Sequence, residues 1–312
     1  MPSLEVLTVS AAISGVVSRI CCHPIDTIKS RMQGGTIGGN RPGLSARSTF
    51  LSVAKSTIRA EGIRGLYRGF GAVILGGTPG TVLYLTSYEK IKTALEDSSG
   101  GRMNFAVHFA SGILAEAVSC IVYVPVDVCK ERLQVQSSTC SSSGGPKYKG
   151  SVDAFLKISK NEGMRGIYKG YGATLLSYGP FSAFYFLFYE YFKKNAMDYY
   201  NNKNENGKQK EITENILPFH LVVATSAAAG SIASWITSPL DMAKLRLQVQ
   251  RGGLSDTKYR NIGHGLAEIY KEGGLRLMWR GAGARVAFHA PSTALTITTF
   301  EQVKKAYDAT AA

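Results

Sequence analysis

Pro24-Ile25-Asp26-Thr27-Ile28-Lys29-Ser30-Arg31-Met32-Gln33 decides the architecture, because the chain writes it three times. It returns as Pro125-Val126-Asp127-Val128-Cys129-Lys130-Glu131-Arg132-Leu133-Gln134 and as Pro239-Leu240-Asp241-Met242-Ala243-Lys244-Leu245-Arg246-Leu247-Gln248. In each copy Asp stands two residues after Pro, Lys five after, Arg seven after and Gln nine after. One such string would carry little weight. Three with every polar offset kept mark a repeat architecture, and self-similarity at a fixed period governs how everything else is read.

A second signature follows each first one: Glu61-Gly62 with Tyr67-Arg68-Gly69, Glu162-Gly163 with Tyr168-Lys169-Gly170, and Glu272-Gly273 with Trp279-Arg280-Gly281. The third copy has one extra residue between its two parts. Pro24 and Pro125, Glu61 and Glu162, and Glu89 and Glu190 share one offset of 101 residues, whereas the third copy shortens its connecting loop. These spacings define repeats over 4–97, 102–196 and 216–308, with an Asn-rich polar linker between the second and third.

Apolar runs fall near 4–23, 69–91, 105–124, 170–192, 219–238 and 281–303, two per repeat. Each is long enough to cross a bilayer as a helix. In the first run Ser10, Ser14 and Ser18 recur at four-residue spacing and so share one face. That run alone also reads as an amphipathic helix of a soluble protein. Six such runs read instead as helices around a wet centre, with backbone groups satisfied inside each helix and polar side chains turned from lipid. An even number of spans puts both termini on one side.

The chain of 312 residues carries a net charge of +14, and 45% of its residues are hydrophobic. A basic surplus points to nucleic acid or an anionic membrane. The surplus lies in the loop inside each repeat, the asymmetry expected across a membrane, and no aromatic-basic module for nucleic acid accompanies it. Cys21, Cys22, Cys120, Cys129 and Cys140 form no CxxC and no disulfide framework. The N-terminus reads as neither a signal peptide nor a transit peptide. Gly69-x-Gly71, Gly170-x-Gly172 and Gly281-x-Gly283 lack the strand and third glycine of a dinucleotide loop, and read as close helix packing. No P-loop and no catalytic constellation is present, so no enzyme is expected, and neither cofactor nor bound metal.

The three Pro-x-Asp-x-x-Lys strings, the three Glu-Gly…aromatic-basic-Gly strings and the six apolar runs together resemble the mitochondrial carrier family over nearly the whole chain. The resemblance implies an all-α membrane protein: a six-helix transmembrane bundle with pseudo-threefold symmetry and three short matrix helices, working as a monomer in the mitochondrial inner membrane with cardiolipin on the matrix side. It implies that Pro24, Pro125 and Pro239 bend the odd helices. On residues alone, Asp and Lys three apart form a local pair on one helix face. The resemblance joins neighbouring repeats instead, Asp26 with Lys130, Asp127 with Lys244 and Asp241 with Lys29, as a matrix gate braced by Gln33, Gln134 and Gln248. A second, cytoplasmic gate is implied at Tyr88, Glu89 and Lys92, at Tyr189, Glu190 and Lys193, and at Glu301 and Lys304, where Phe300 takes the tyrosine position.

The family's substrate contacts map to Gly76, Ser177 and Phe288, each three residues before a proline, with Gly77, Tyr178 and His289 beside them. None of the three is Arg, and the Gly-Ile pair of adenine-nucleotide carriers is missing, which puts nucleotide or simple dicarboxylate exchange in doubt. Arg19 and Glu116 are further candidates. An ionisable residue at membrane depth is costly and marks function by default, although the two side chains pairing with each other or with water is the competing expectation. One cation and one anion suit a zwitterion, and Tyr178 and Phe288 suit a flat ring. The expected function is transport of a small polar metabolite by alternating access, such as S-adenosylmethionine or an amino-acid-like compound. The alternatives are an iron-type metal-ion carrier and a proton or ion conductor of the same fold.

Overall fold

The computed structural model describes residues 4–34, 49–98, 105–136, 147–204, 218–250 and 259–311; Cys140 lies outside them. Among the described residues the protein is all-α, with ten α-helices, one short 3-10 helix (Ile63–Tyr67) and no strand. Repeat one contributes α1 (Leu4–Gly34), α2 (Phe50–Glu61) and α3 (Phe70–Ser98). Repeat two contributes α4 (Phe105–Val135), α5 (Ser151–Ile167) and α6 (Tyr171–Asn204). Repeat three contributes α7 (Phe219–Ile236), α8 (Ser238–Val249), α9 (Ile262–Met278) and α10 (Ala282–Ala311).

The extra helix of repeat three has a local cause. Pro24 and Pro125 sit inside continuous helices of 31 residues each. In the third copy the helix ends at Thr237, whose hydroxyl donates to the Ala233 carbonyl at 2.7 Å. Pro239 then falls in the first turn of α8, where its missing N–H is not needed. At about 1.5 Å per residue, α1, α3, α4, α6 and α10 each exceed the roughly 30 Å of a hydrocarbon core. By length and apolar composition alone, three stretches qualify as membrane spans: Ile63–Asp97, Val107–Val135 and Phe219–Ile236. α1, α6 and α10 are long enough but more polar in composition.

The loop helices α2, α5 and α9 close on glycines in the left-handed region: Gly62 at φ 67°, Gly163 at 65° and Gly274 at 62°. Glycine carries no Cβ penalty there. Repeat three thus absorbs its extra residue at Gly273, and Gly274 takes the turn position that Gly62 and Gly163 hold. At the head of α5, Asp153 accepts from the Lys149 amide at 2.7 Å and from Lys157 Nζ at 2.9 Å. The Lys149 amide, then Lys157, hold its carboxyl below the ordinary carboxylate range.

The chain divides into two compact units. The first comprises His23–Gly179 and Ser238–Ala284. It holds three buried apolar clusters, one per repeat: Ile28, Met32, Val53 and Leu66; Val124, Val128, Leu133 and Ile158; and Met242, Leu247 and Ile269. Each packs a loop helix against the helix of its own repeat that carries the Pro-x-Asp-x-x-Lys string, α1, α4 or α8. The second unit comprises Met1–Cys22, Pro180–Thr237 and Arg285–Ala312. Within it Ser18 and Ser292 hydroxyls meet at 2.9 Å, and Phe181, Tyr185 and Tyr189 stack along one face of α6.

Candidate functional site

The three polar strings converge in the first unit. Lys130 Nζ lies 2.6 Å from Asp26 Oδ2, Lys244 Nζ 3.0 Å from Asp127 Oδ2, and Lys29 Nζ 2.7 Å from Asp241 Oδ2. Every repeat therefore gives its lysine to one neighbour and its aspartate to the other, which closes a ring. Within one helix, Asp and Lys three residues apart have another option, the local pair. The structure takes the pairing between repeats at all three positions. Lys130 also sits 3.4 Å from Glu131.

The arginine seven residues after each proline does separate work. Arg31 reaches Glu61 at 2.7 Å, Arg132 grips both carboxylate oxygens of Glu162, and Arg246 reaches Glu272 at 2.6 Å. These bonds tie α1, α4 and α8 to the closing turn of the loop helix of the same repeat. Arg31 Nε also donates to the Gln134 carbonyl at 2.9 Å, and Arg132 Nε to the Gln248 carbonyl at 3.0 Å, so two of the three arginines also latch the next repeat. Arg246, fully buried, spends Nη1 on Tyr259 and Glu272, and its Nε and Nη2 have no hydrogen-bond partner among the described residues.

The glutamines differ in the same way. Gln134 Nε2 donates to Thr27 Oγ1 at 3.1 Å and to Asp26 Oδ2 at 3.4 Å. Among the described residues, Gln248 Nε2 and both amide atoms of Gln33 are buried without a hydrogen-bond partner. Gln33 and Gln248 instead pack their Cγ atoms under Gly281 and Gly170: a Cβ on either glycine would stand 2.9 Å away. Both glycines sit at φ 84°. Two residues beyond the brace position, Gln136 grips the backbone of Tyr148 through both amide atoms, at 2.9 and 2.8 Å, and Gln250 grips Tyr259 likewise.

Of the second network, Tyr88 donates to or accepts from His108 Nδ1 at 2.9 Å, and Lys92 lies 4.0 Å from Glu96, one turn along α3. Tyr189 stacks on Tyr185. Glu89 and Glu190 are exposed, and Lys193, Phe300 and Glu301 partly buried. The Lys304 side chain lies outside the described residues.

Among the substrate candidates in the first unit, Glu116 accepts from Cys120 Sγ at 3.6 Å, Tyr178 meets Tyr84 hydroxyl to hydroxyl at 3.0 Å, and Ser177 bonds back to the Ala173 carbonyl. Gly76 and Gly77 are buried, and a Cβ on Gly76 would fall 1.9 Å from Val126 Cγ2. Gly76 therefore lets α3 approach α4. In the second unit His289 packs on Phe181 at 5.4 Å and Phe288 meets His289 edge-on at 5.5 Å. Arg19 is partly buried, and buried Arg285 places its guanidinium 5.7 Å from the Phe181 ring centre.

Three segments of the chain, residues 4–99, 101–200 and 217–310, match the mitochondrial carrier protein family. The chain belongs to the mitochondrial carrier family. Mitochondrial substrate carrier family protein E of Dictyostelium discoideum is 33% identical over 304 residues, which cover 96% of this chain and 95% of that protein. Mitoferrin of the same organism is 31% identical, covering 97% and 94%. The succinate/fumarate mitochondrial transporter of Saccharomyces cerevisiae is 30% identical, covering 94% and 88%. Mitochondrial carriers are transporters of the inner membrane, and this chain is one of them.

Within this carrier, the sequence reading missed the links of Arg31, Arg132 and Arg246 to Glu61, Glu162 and Glu272. The signal was present: each motif holds its charged residue at a fixed place in every repeat. It also missed Tyr84, which completes the hydroxyl pair with Tyr178, and Arg285, a cation with no counterpart at Val73 or Thr174.

Proposed function

We propose that this carrier moves a small polar metabolite across the mitochondrial inner membrane by alternating access, with the ring of Asp26–Lys130, Asp127–Lys244 and Asp241–Lys29 as its matrix-side gate. The closed ring of inter-repeat bridges carries this reading. Ion pairs suit a gate because desolvation offsets most of their Coulomb gain, so making and breaking them is nearly balanced. A substrate with modest binding energy then tips the equilibrium. Tyr88, Glu89, Lys92, Tyr189, Glu190, Lys193, Glu301 and Lys304 form the opposing cytoplasmic gate, assembled when the matrix ring opens. The repeats act as units over 4–97, 102–196 and 216–308, in a monomer with cardiolipin at the matrix side.

We place substrate contacts at Glu116, Ser177 and Tyr178 in the first unit and, taken separately, at Arg19, Phe288 and His289 in the second, with Gly77 as a small position. One cation, one anion and two aromatic rings favour a zwitterion such as S-adenosylmethionine or an amino-acid-like compound. Likeness to mitoferrin speaks for a metal-ion carrier, but among the described residues no three His, Cys, Asp or Glu side chains gather to hold a metal. Counter-exchange of labelled solutes in proteoliposomes tests the reading. A thermal-shift screen finds the substrate, since a bound ligand stabilises by mass action. Glu116→Gln removes the shift given by the true substrate. A shift that survives Glu116→Gln overturns the site, and pH-dependent conductance without exchange overturns the carrier mechanism in favour of a conductor.

A further inference from the structure

Pro125 removes one backbone bond from α4. A proline has no N–H, so the carbonyl four residues before it, that of Ile121, loses its helical donor, and the proline ring crowds that same carbonyl. Ile121 lies inside the apolar stretch Val107–Val135, and its side chain is 53% exposed. Hydrocarbon offers a carbonyl no hydrogen to accept, so a proline within a membrane span calls for a donor from a neighbouring element. The Tyr168 hydroxyl is that donor: it gives its hydrogen to the Ile121 carbonyl at 3.1 Å. One turn earlier on α4 the Tyr171 hydroxyl donates to the Ala117 carbonyl at 2.6 Å. Ala117, inside the same helix, has the Ile121 N–H as its ordinary partner.

Tyr168 is the aromatic residue of the second signature, in the turn between α5 and α6. Its amide donates to the Met164 carbonyl at 3.0 Å, and its own carbonyl accepts from the Tyr171 amide at 3.1 Å. Its ring packs on the repeat-two cluster that holds Val124 and Val128. The hydroxyl thus stands on a fixed mount. We infer that Tyr168 is a positioning residue: its hydroxyl takes the place of the N–H that Pro125 lacks. It thereby holds the limb of α4 beyond Pro125, which carries Asp127 and Lys130, in line with their partners Lys244 and Asp26. In the other two copies of the signature the same place is filled by Tyr67 and Trp279, which also carry a hydrogen to donate. The link to gating rests on the ring acting as a gate; the replacement of the N–H by the hydroxyl does not.

Thermal unfolding of the purified full-length chain tests this as a double-mutant cycle. Tyr168→Phe lowers Tm by about 2–6 °C in the native background. Pro125→Ala gives the Ile121 carbonyl its helical donor back, and in that background the further loss from Tyr168→Phe shrinks toward zero. Tyr171→Phe costs the same in both backgrounds, because its acceptor has a helical donor throughout. Equal losses from Tyr168→Phe in the two backgrounds overturn the inference. Coupling of the same size between Tyr171 and Pro125 also overturns it, since that marks a general loosening of α4. A second measurement leaves Pro125 in place: amide exchange, followed peptide by peptide by mass spectrometry. Tyr168→Phe quickens the amides over 126–134 by about tenfold, the factor that one such bond is worth, and Tyr171→Phe leaves them unchanged. Exchange that Tyr168→Phe does not move, or that both variants move alike, sinks the inference and leaves the gate standing. Failure of the double charge reversal at Asp26 and Lys130 to recover transport sinks the gate and leaves the Tyr168 bond in place.

Discussion

Arg31 on α1 donates its Nε proton to the backbone carbonyl of Gln134 on α4 at 2.9 Å, and Arg132 on α4 does the same to Gln248 on α8 at 3.0 Å. A side chain cannot be exchanged for another without the carbonyl losing its donor. In these two strings the arginine is therefore specified by reach and geometry, while the lysine is specified by charge.

Substituting Arg132→Lys separates these two roles. Lysine keeps a charge for Glu162 but cannot bridge both carboxylate oxygens and two carbonyls at once. The loss is about 3 kcal/mol or more, from several charged hydrogen bonds. Arg246→Lys costs less, because two of its nitrogens have no hydrogen-bond partner among the described residues to lose. Thermal unfolding of the two variants side by side measures the difference.

Reversing Asp26 to Lys, or Lys130 to Asp, leaves like charges facing each other at a buried site, a loss of about 3–5 kcal/mol. Reversing both restores the attraction and most of the transport. Recovery stays below the native level, since Asp at position 130 would neighbour Glu131. Exchange rates in proteoliposomes for the two single variants and the double variant check this.

Gly281→Ala meets two penalties. Its backbone at φ 84° costs an alanine about 1–2 kcal/mol, and the new methyl would press on Gln33 Cγ at 2.9 Å. Gly283→Ala, two residues along, meets nothing within 4 Å and is neutral or stabilising by about 0.5–1 kcal/mol, because alanine is the better helix residue. Opposite signs of the Tm shift in this pair are the expected result.

Removing the amide of Gln136 by Gln136→Ala frees both the N–H and the C=O of Tyr148, at about 1–3 kcal/mol. Amide exchange of Tyr148, followed by mass spectrometry, should quicken while that of α6 stays unchanged.

The fold was legible because repetition did the work that no single string could. Asp26, Lys29 and their counterparts recur at fixed offsets, so the ring could be expected before any coordinates. The Arg31–Glu61 link was present in the same quoted strings but was not read. Its halves belong to different motifs, across loops whose lengths vary, and only folding brings them together. The shift of the turn from Gly273 to Gly274 was hidden for a similar reason: two adjacent glycines offer the same chemistry, and backbone geometry chooses between them. At the substrate end, Gly76 was chosen by its spacing from Pro79, yet its free face is occupied by Val126. Spacing along a helix gives the position of a residue but not what the neighbouring helix places over it.

The grip of Arg132 on Glu162 has a mechanical consequence. With α5 bolted to the C-terminal end of α4 by a two-pronged charged contact, any displacement of that end must carry the loop helix along as a lever. A spin label at exposed Lys160 would then report the stroke of α4 from outside the ring, without disturbing a single charge within it.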